Sequence, residues 1–176
     1  MKKILFIVML FCLYGSSAFA QSSANTNANV NIALIRGLTI TTTGTNTLNF
    51  GEVVVTTSSQ NVSITNENGQ KFLVTGHPNR ATTVTYSSSA TLNNNAWVGV
   101  NGGTQSTITF TTNTADETGS SSTYTGPEEL ESGEQINLPN VSGIGTLYLW
   151  IGGSIAIPAN QPQGDYVGTI NVSVAY

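Results

Sequence analysis

The chain has 176 residues, a net charge of −4 and only 8% charged side chains. That balance disfavours nucleic acid as a partner, because phosphate contacts need a basic face. Lys2 and Lys3 precede an apolar run over residues 4–13, and Ser16, Ser17 and Ala18-Phe19-Ala20 follow it.

This opening predicts a secretory signal peptide over residues 1–20, cut before Gln21. The run is too short for a permanent membrane anchor, so no transmembrane anchor is expected. Cys12, the single cysteine, falls inside it. A lipobox at Cys12 is the alternative, but it would cut the apolar run in half. The exported chain would then hold no thiol, which excludes disulfides, Cys-ligated metals and cysteine nucleophiles.

Residues 21–36 open with Ala24, Thr26, Ala28, Val30, Ile32 and Leu34 alternating with Asn25, Asn27, Asn29 and Asn31. Alternation of this kind marks an extended segment with one dry face. It reads either as the first strand of its own sheet or as a strand offered to another chain, with Ala28, Val30, Ile32 and Leu34 as the candidate contact positions. Burying Val30, Ile32 and Leu34 would contribute about 1.5–3 kcal/mol each.

From residue 37 onward period-2 alternation recurs without sustained helical periodicity. Strands are expected at 28–35, 38–42, 53–56, 61–66, 71–75, 82–87, 97–100, 106–112, 135–138, 145–157 and 165–175. Turn signals separate them, among them Glu67-Asn68-Gly69, Gly76-His77-Pro78-Asn79 and Asn101-Gly102-Gly103. Many short strands at such spacing predict an all-β sandwich or barrel over residues 37–176. Gly152-Gly153 divides the 145–157 run, which reads as one long strand kinked at a bulge so that it crosses between sheets. In the last strand Tyr166, Gly168, Ile170, Val172, Val174 and Tyr176 share one face, giving a candidate core strand at the end of the chain.

Candidate chemistry is sparse. His77 is the only histidine and lies in a turn composition, so a serine triad lacks its base. Residues 113–133 read as one long irregular segment. Glu128, Glu129, Glu131 and Glu134 gather at its end, which suits a solvated loop or, with less support, calcium. Trp97, Trp150, Tyr86, Tyr124, Tyr148 and Tyr166 belong either to the core or to a sugar-stacking platform. No catalytic, cofactor-binding or metal-binding residue is assigned, and no enzyme activity is expected.

Leu48-Asn49-Phe50-Gly51, the segment Phe72-Leu73-Val74-Thr75-Gly76-His77-Pro78-Asn79, Ile151-Gly152-Gly153 and the ending with Gly164, Tyr166, Gly168, Val172, Val174 and Tyr176 together carry a resemblance. The chain resembles an uncharacterised family of secreted bacterial domains related to spore coat protein U and archaic chaperone–usher pilin subunits. The resemblance implies an immunoglobulin-like, pilin-like Greek-key β-sandwich. It also implies a bacterial protein carried from the periplasm to the cell surface, as a structural, adhesive or fimbrial subunit. In the pilin branch each sandwich lacks a strand, and an N-terminal extension of the next subunit fills the gap. Self-association or pairing with other surface subunits follows from that likeness, as does a periplasmic chaperone. The rival expectation is a monomeric secreted module that binds a glycan or surface polymer.

Overall fold

A computed structural model describes residues 31–44 and 48–176. Residues Ile35–Tyr176 form one compact unit. Of the preceding segment, residues 31–34 are described; they take no regular structure. The strand expected at 28–35 is therefore not formed over its described part, and Ala28 and Val30 lie outside the described residues.

Thirteen strands form among the described residues. They are β1 (Thr39–Thr43), β2 (Gln60–Ile64), β3 (Gln70–Gly76), β4 (Ala81–Tyr86), β5 (Ser89–Asn93), β6 (Thr107–Thr112), β7 (Ala115–Glu117), β8 (Glu128–Leu130), β9 (Gln135–Asn137), β10 (Asn140–Val141), β11 (Ile144–Ile151), β12 (Gly153–Ile157) and β13 (Val172–Ala175). One short helix, α1 (Asn95–Asn101), joins β5 to β6. The fold is an all-β sandwich, as the alternation predicts.

The first sheet runs β1-β3-β11-β7-β8, with β10 beside β11; the second runs β2-β12-β6-β5; the third runs β13-β4-β9. All pairings are antiparallel, with β11 on β3 matching Leu147 to Val74 and Leu149 to Phe72. Val74, Leu147, Leu149 and Ile151 from the first sheet meet Val84 and Tyr86 of β4 in the main core. Ile108, Phe110, Ile155 and Ile157 form a second cluster on the second sheet.

Glycine makes the corner between the first two sheets. β11 leaves the first sheet at Ile151, and β12 enters the second at Gly153, paired with Ile64 and Thr112. A Cβ at Gly152 would stand 2.3 Å from the Ile64 carbonyl oxygen, and one at Gly69 would stand 2.1 Å from that of Ile151. No larger residue fits there without moving backbone. The Asn66 side chain completes the corner, accepting from the Gly152 N–H at 2.7 Å and donating to the Thr114 carbonyl at 2.7 Å. The kinked crossing expected at Gly152-Gly153 is thus formed.

Two more expectations differ within this body of the fold. Residues 97–100 lie in α1, not in a strand. A run as short as Trp97-Val98-Gly99-Val100 has no period long enough to distinguish the two conformations. Asn94 decides the matter: its carbonyl accepts from the Val98 N–H, and its buried side chain bonds Thr104, Gln163 and Ser106. The 113–133 segment is also not irregular throughout. It contains β7 and β8, paired Asp116 to Glu129 and Glu117 to Glu128. The buried Tyr86 hydroxyl braces both strands, donating to the Leu130 carbonyl at 2.8 Å and accepting from the Ala115 N–H at 3.0 Å.

Candidate functional site

Among the described residues the sheets do not close along one seam. On one side stand β1 and the extended segment 48–55 that follows it. On the other stands the stretch 166–172 leading into β13. Between them lies a groove of about 1290 Å³, whose floor includes the apolar Phe72, Ile108, Phe110 and Ile155 and whose lining also holds Glu52, Gln161 and Asp165. A smaller cavity of about 280 Å³ adjoins it, lined by Ile40 of β1 and Val172 among others. Thr42, Phe72 and Ile170 line both parts.

Each wall follows from its sequence. In the 48–55 wall, Leu48, Phe50 and Val53 turn toward the second cluster, and Phe50 meets Phe110 edge-on at 6.0 Å. Asn49 supports this turn by accepting the Gly51 N–H at 2.9 Å, with Gly51 at φ +68°. No strand is formed over the expected 53–56, although Val53 and Val55 line the groove.

The opposite wall is tied to the body along one edge. Val167 bridges Asn93, Asn171 accepts from the Ser87 N–H, and β13 pairs with β4 from Val172–Tyr86 to Ala175–Thr83. The regular strand expected over 165–175 is therefore restricted to Val172–Ala175. Its parity holds, because Tyr166, Ile170, Val172 and Val174 all turn toward the apolar clusters. They are only half-buried, however, and Gly168 is exposed. A complete sandwich would cover that face with another strand.

Polar side chains fix both ends of the seam. At the wide end Gln161 donates to Ser106 Oγ, the Thr107 carbonyl and the Tyr166 hydroxyl, while the Tyr166 hydroxyl donates to the Pro162 carbonyl. At the far end the Tyr176 hydroxyl donates to the Arg36 carbonyl at 2.8 Å and accepts the His77 N–H at 2.6 Å. The Arg80 guanidinium lies 4.8 Å from the Tyr176 ring centre. His77 occupies the turn between β3 and β4, as its composition suggests.

Other candidate residues are dispersed. Tyr86 belongs to the main core, and Trp97 and Tyr166 line the groove. Tyr148, Trp150 and Tyr124 gather beneath the Lys71 ammonium, which lies 4.9 Å from the Trp150 ring and 5.6 Å from that of Tyr148. Trp150 is buried, and its Nε1–H donates to Thr118 Oγ1. The 118–124 stretch thus covers Trp150 on the outer face of β11. The Tyr124 hydroxyl donates to Asp116, and desolvation together with that carboxylate pushes its pKa up to about 12. Burial likewise raises the Tyr86 pKa. Among the described residues no three His, Cys, Asp or Glu side chains converge as a metal site would need. No described helix is long and apolar enough to cross a membrane.

Of the candidate contact positions before residue 36, Ile32 and Leu34 are described, 81% and 82% exposed. Sequence reasoning missed Asn94, Gln161 and the 48–55 wall. The Leu48-Asn49-Phe50-Gly51 signal marks that wall, but its side chains could not be aimed without the floor beneath them.

Chemically, the seam offers apolar side chains on its floor and polar groups such as Gln161 and Asp165 along its edge. No curated protein and no solved structure matches the chain. Residues 38–176 do match a family, without any link to spore coat protein U or to pilins. The chain belongs to the family described as a domain of unknown function, DUF4402.

Proposed function

We propose that this protein is an exported structural subunit of a bacterial surface, joined to its neighbours by strand donation. Residues 28–34 of one copy would fill the open groove of the next. The open seam carries this reading: a half-buried apolar wall faces an extended wall across a dry floor, with no strand between them among the described residues. Strand addition suits such a gap, because backbone bonds give affinity and alternate side chains give specificity.

Dimensions support it further. From Tyr166 to Val172 the wall spans six residue steps, about 20 Å at ~3.3 Å per residue. Ala28, Val30, Ile32 and Leu34 span the same number of steps. The larger volume lies along Tyr166 to Ile170 and the smaller along Ile170 to Val172, and the donor side chains shrink from Leu34 to Ala28. Laying the larger side chains over the larger volume would set Leu34 by Tyr166, Ile32 by Gly168, Val30 by Ile170 and Ala28 by Val172, antiparallel to that wall. The likeness to the pilin branch supports the same reading, and with it a periplasmic chaperone that would guard the groove before assembly.

No catalytic role is proposed. The glycan-binding module has weaker support, because the six aromatics are divided among the core, the covered outer face and the groove.

Assembly of the full chain tests the proposal. Ile32→Asp or Leu34→Asp would place a charge against Phe72 and Phe110 and should abolish oligomers in size-exclusion chromatography and electron microscopy. Normal assembly by both variants, or a monomer at high concentration for the unaltered chain, would overturn it.

A further inference from the structure

The backbone is clasped just where the candidate donor segment joins its domain. The Tyr176 hydroxyl donates to the Arg36 carbonyl at 2.8 Å and accepts the His77 N–H at 2.6 Å. The Arg36 N–H donates more loosely to His77 Nδ1, at 3.5 Å. Both backbone groups of Arg36 are thus engaged, although its side chain is exposed. Gly76 makes room for the hydroxyl, since a Cβ there would stand 2.6 Å from Tyr176 Oη and 2.8 Å from Leu38 Cδ1. Leu38 in turn packs against the main core. Tyr176, the residue after β13, therefore ties its own strand to the entry of β1 across the far end of the seam.

This clasp constrains the direction of the chain. β1 is an edge of the first sheet, and Ile40, Thr41 and Thr42 line the smaller cavity of the seam. The segment before β1 could fill its own groove only by folding back beside β1 as a hairpin. Such loops take about two to five residues, and only Ile35-Arg36-Gly37-Leu38 is placed to form one. That stretch takes neither turn nor bend, and the clasp holds Arg36 in its middle. Gly37 would otherwise favour a reversal, being permissive and set in open space.

We infer that Tyr176 is a positioning residue that keeps the donor segment out of its own groove and so directs it to a second copy, an inference that rests on strand donation. A tethered segment would otherwise meet its own groove at an effective concentration on the order of millimolar, and a linker that cannot turn lowers this toward zero. The choice between self and neighbour is thus made at the hinge, without any residue of the clasp occupying the groove.

Thiol labelling of the full chain tests this in any donor register. Ile32→Cys with Cys12→Ser leaves one thiol, at a position 81% exposed in the single copy. Monomers and oligomers are separated by size exclusion and treated with a maleimide. Without further change the monomer should label freely and the oligomer slowly. Adding Tyr176→Phe keeps the ring but removes both hydroxyl bonds. It should raise the share of monomer and slow labelling of that monomer by roughly three- to tenfold. His77→Ala removes only the long bond to Arg36 and should act in the same direction by less, which serves if Tyr176→Phe fails to fold. A clasp that merely braced the fold would lower the unfolding temperature and leave the monomer's thiol open. Equal labelling of the monomers with and without Tyr176→Phe, or a protected thiol where Tyr176 is intact, would overturn the clasp. Oligomers that are absent, or that label as fast as monomers, would overturn strand donation and the clasp with it.

Discussion

The interior at Leu147 and Leu149 and the seam at Ile170 and Val172 use the same sequence device and reach different ends. Both are alternating stretches that turn apolar side chains inward. Leu147 and Leu149 lose all contact with solvent, because β3 and β7 flank them and the β4 sheet covers them. Ile170 and Val172 stay half-exposed, because their strand is paired on the β4–β5 side alone among the described residues. Alternation specifies which face is apolar; it takes a second layer to make that face dry.

The sharpest way to break this contrast is truncation on both sides of it. Leu149→Ala should destabilise the domain by about 2–5 kcal/mol, since it removes fully buried atoms and leaves a cavity. Ile170→Ala should cost only about 1 kcal/mol in the isolated subunit, because water already reaches the site. Denaturant unfolding measures both. Once the groove is filled, the Ile170→Ala cost should approach that of a core position, seen as faster loss of oligomers on dilution. Equal costs in the isolated subunit would mean that the seam is as closed as the interior.

A smaller effect is expected on the outer face of the first sheet. Desolvation and Asp116 raise the Tyr124 pKa from its ordinary value of 10 to about 12. Between those values the unfolded chain loses the proton while the folded chain keeps it. The stabilisation is therefore fully present below pH 10 and declines as pH rises toward 12. Thermal unfolding across that range should show the decline, and Tyr124→Phe should flatten part of it. The remainder belongs to Tyr86, whose pKa burial also raises.

Much of the sandwich is legible in the sequence because its inner strands alternate strictly. β3, β4, β6 and the β11–β12 run are marked by Phe72, Val74, Val84, Tyr86, Ile108, Phe110, Leu147, Leu149 and Ile155 at even spacing. β7 and β8 are not legible, because they are three residues each and held by Tyr86 from far along the chain. α1 is hidden for a similar reason: Asn94 fixes its start through partners up to 69 residues away. The seam is half legible. Parity identifies the face of Ile170 and Val172, but their exposure depends on what packs against that face, which their own alternation does not specify.

The most direct measurement is a disulfide between the two surfaces that strand donation would join. Val30→Cys and Ile170→Cys in one full chain, with Cys12→Ser to remove the native thiol, place one cysteine on the donor and one opposite it in the groove. A disulfide forms only when the Cα atoms approach within about 7 Å. Strand donation between copies is expected to give a ladder of covalent oligomers after mild oxidation, absent from either single variant. Cross-linked monomers would mean that the segment fills its own groove, and unlinked chain would mean that it fills neither; both results would contradict a groove built for a neighbour.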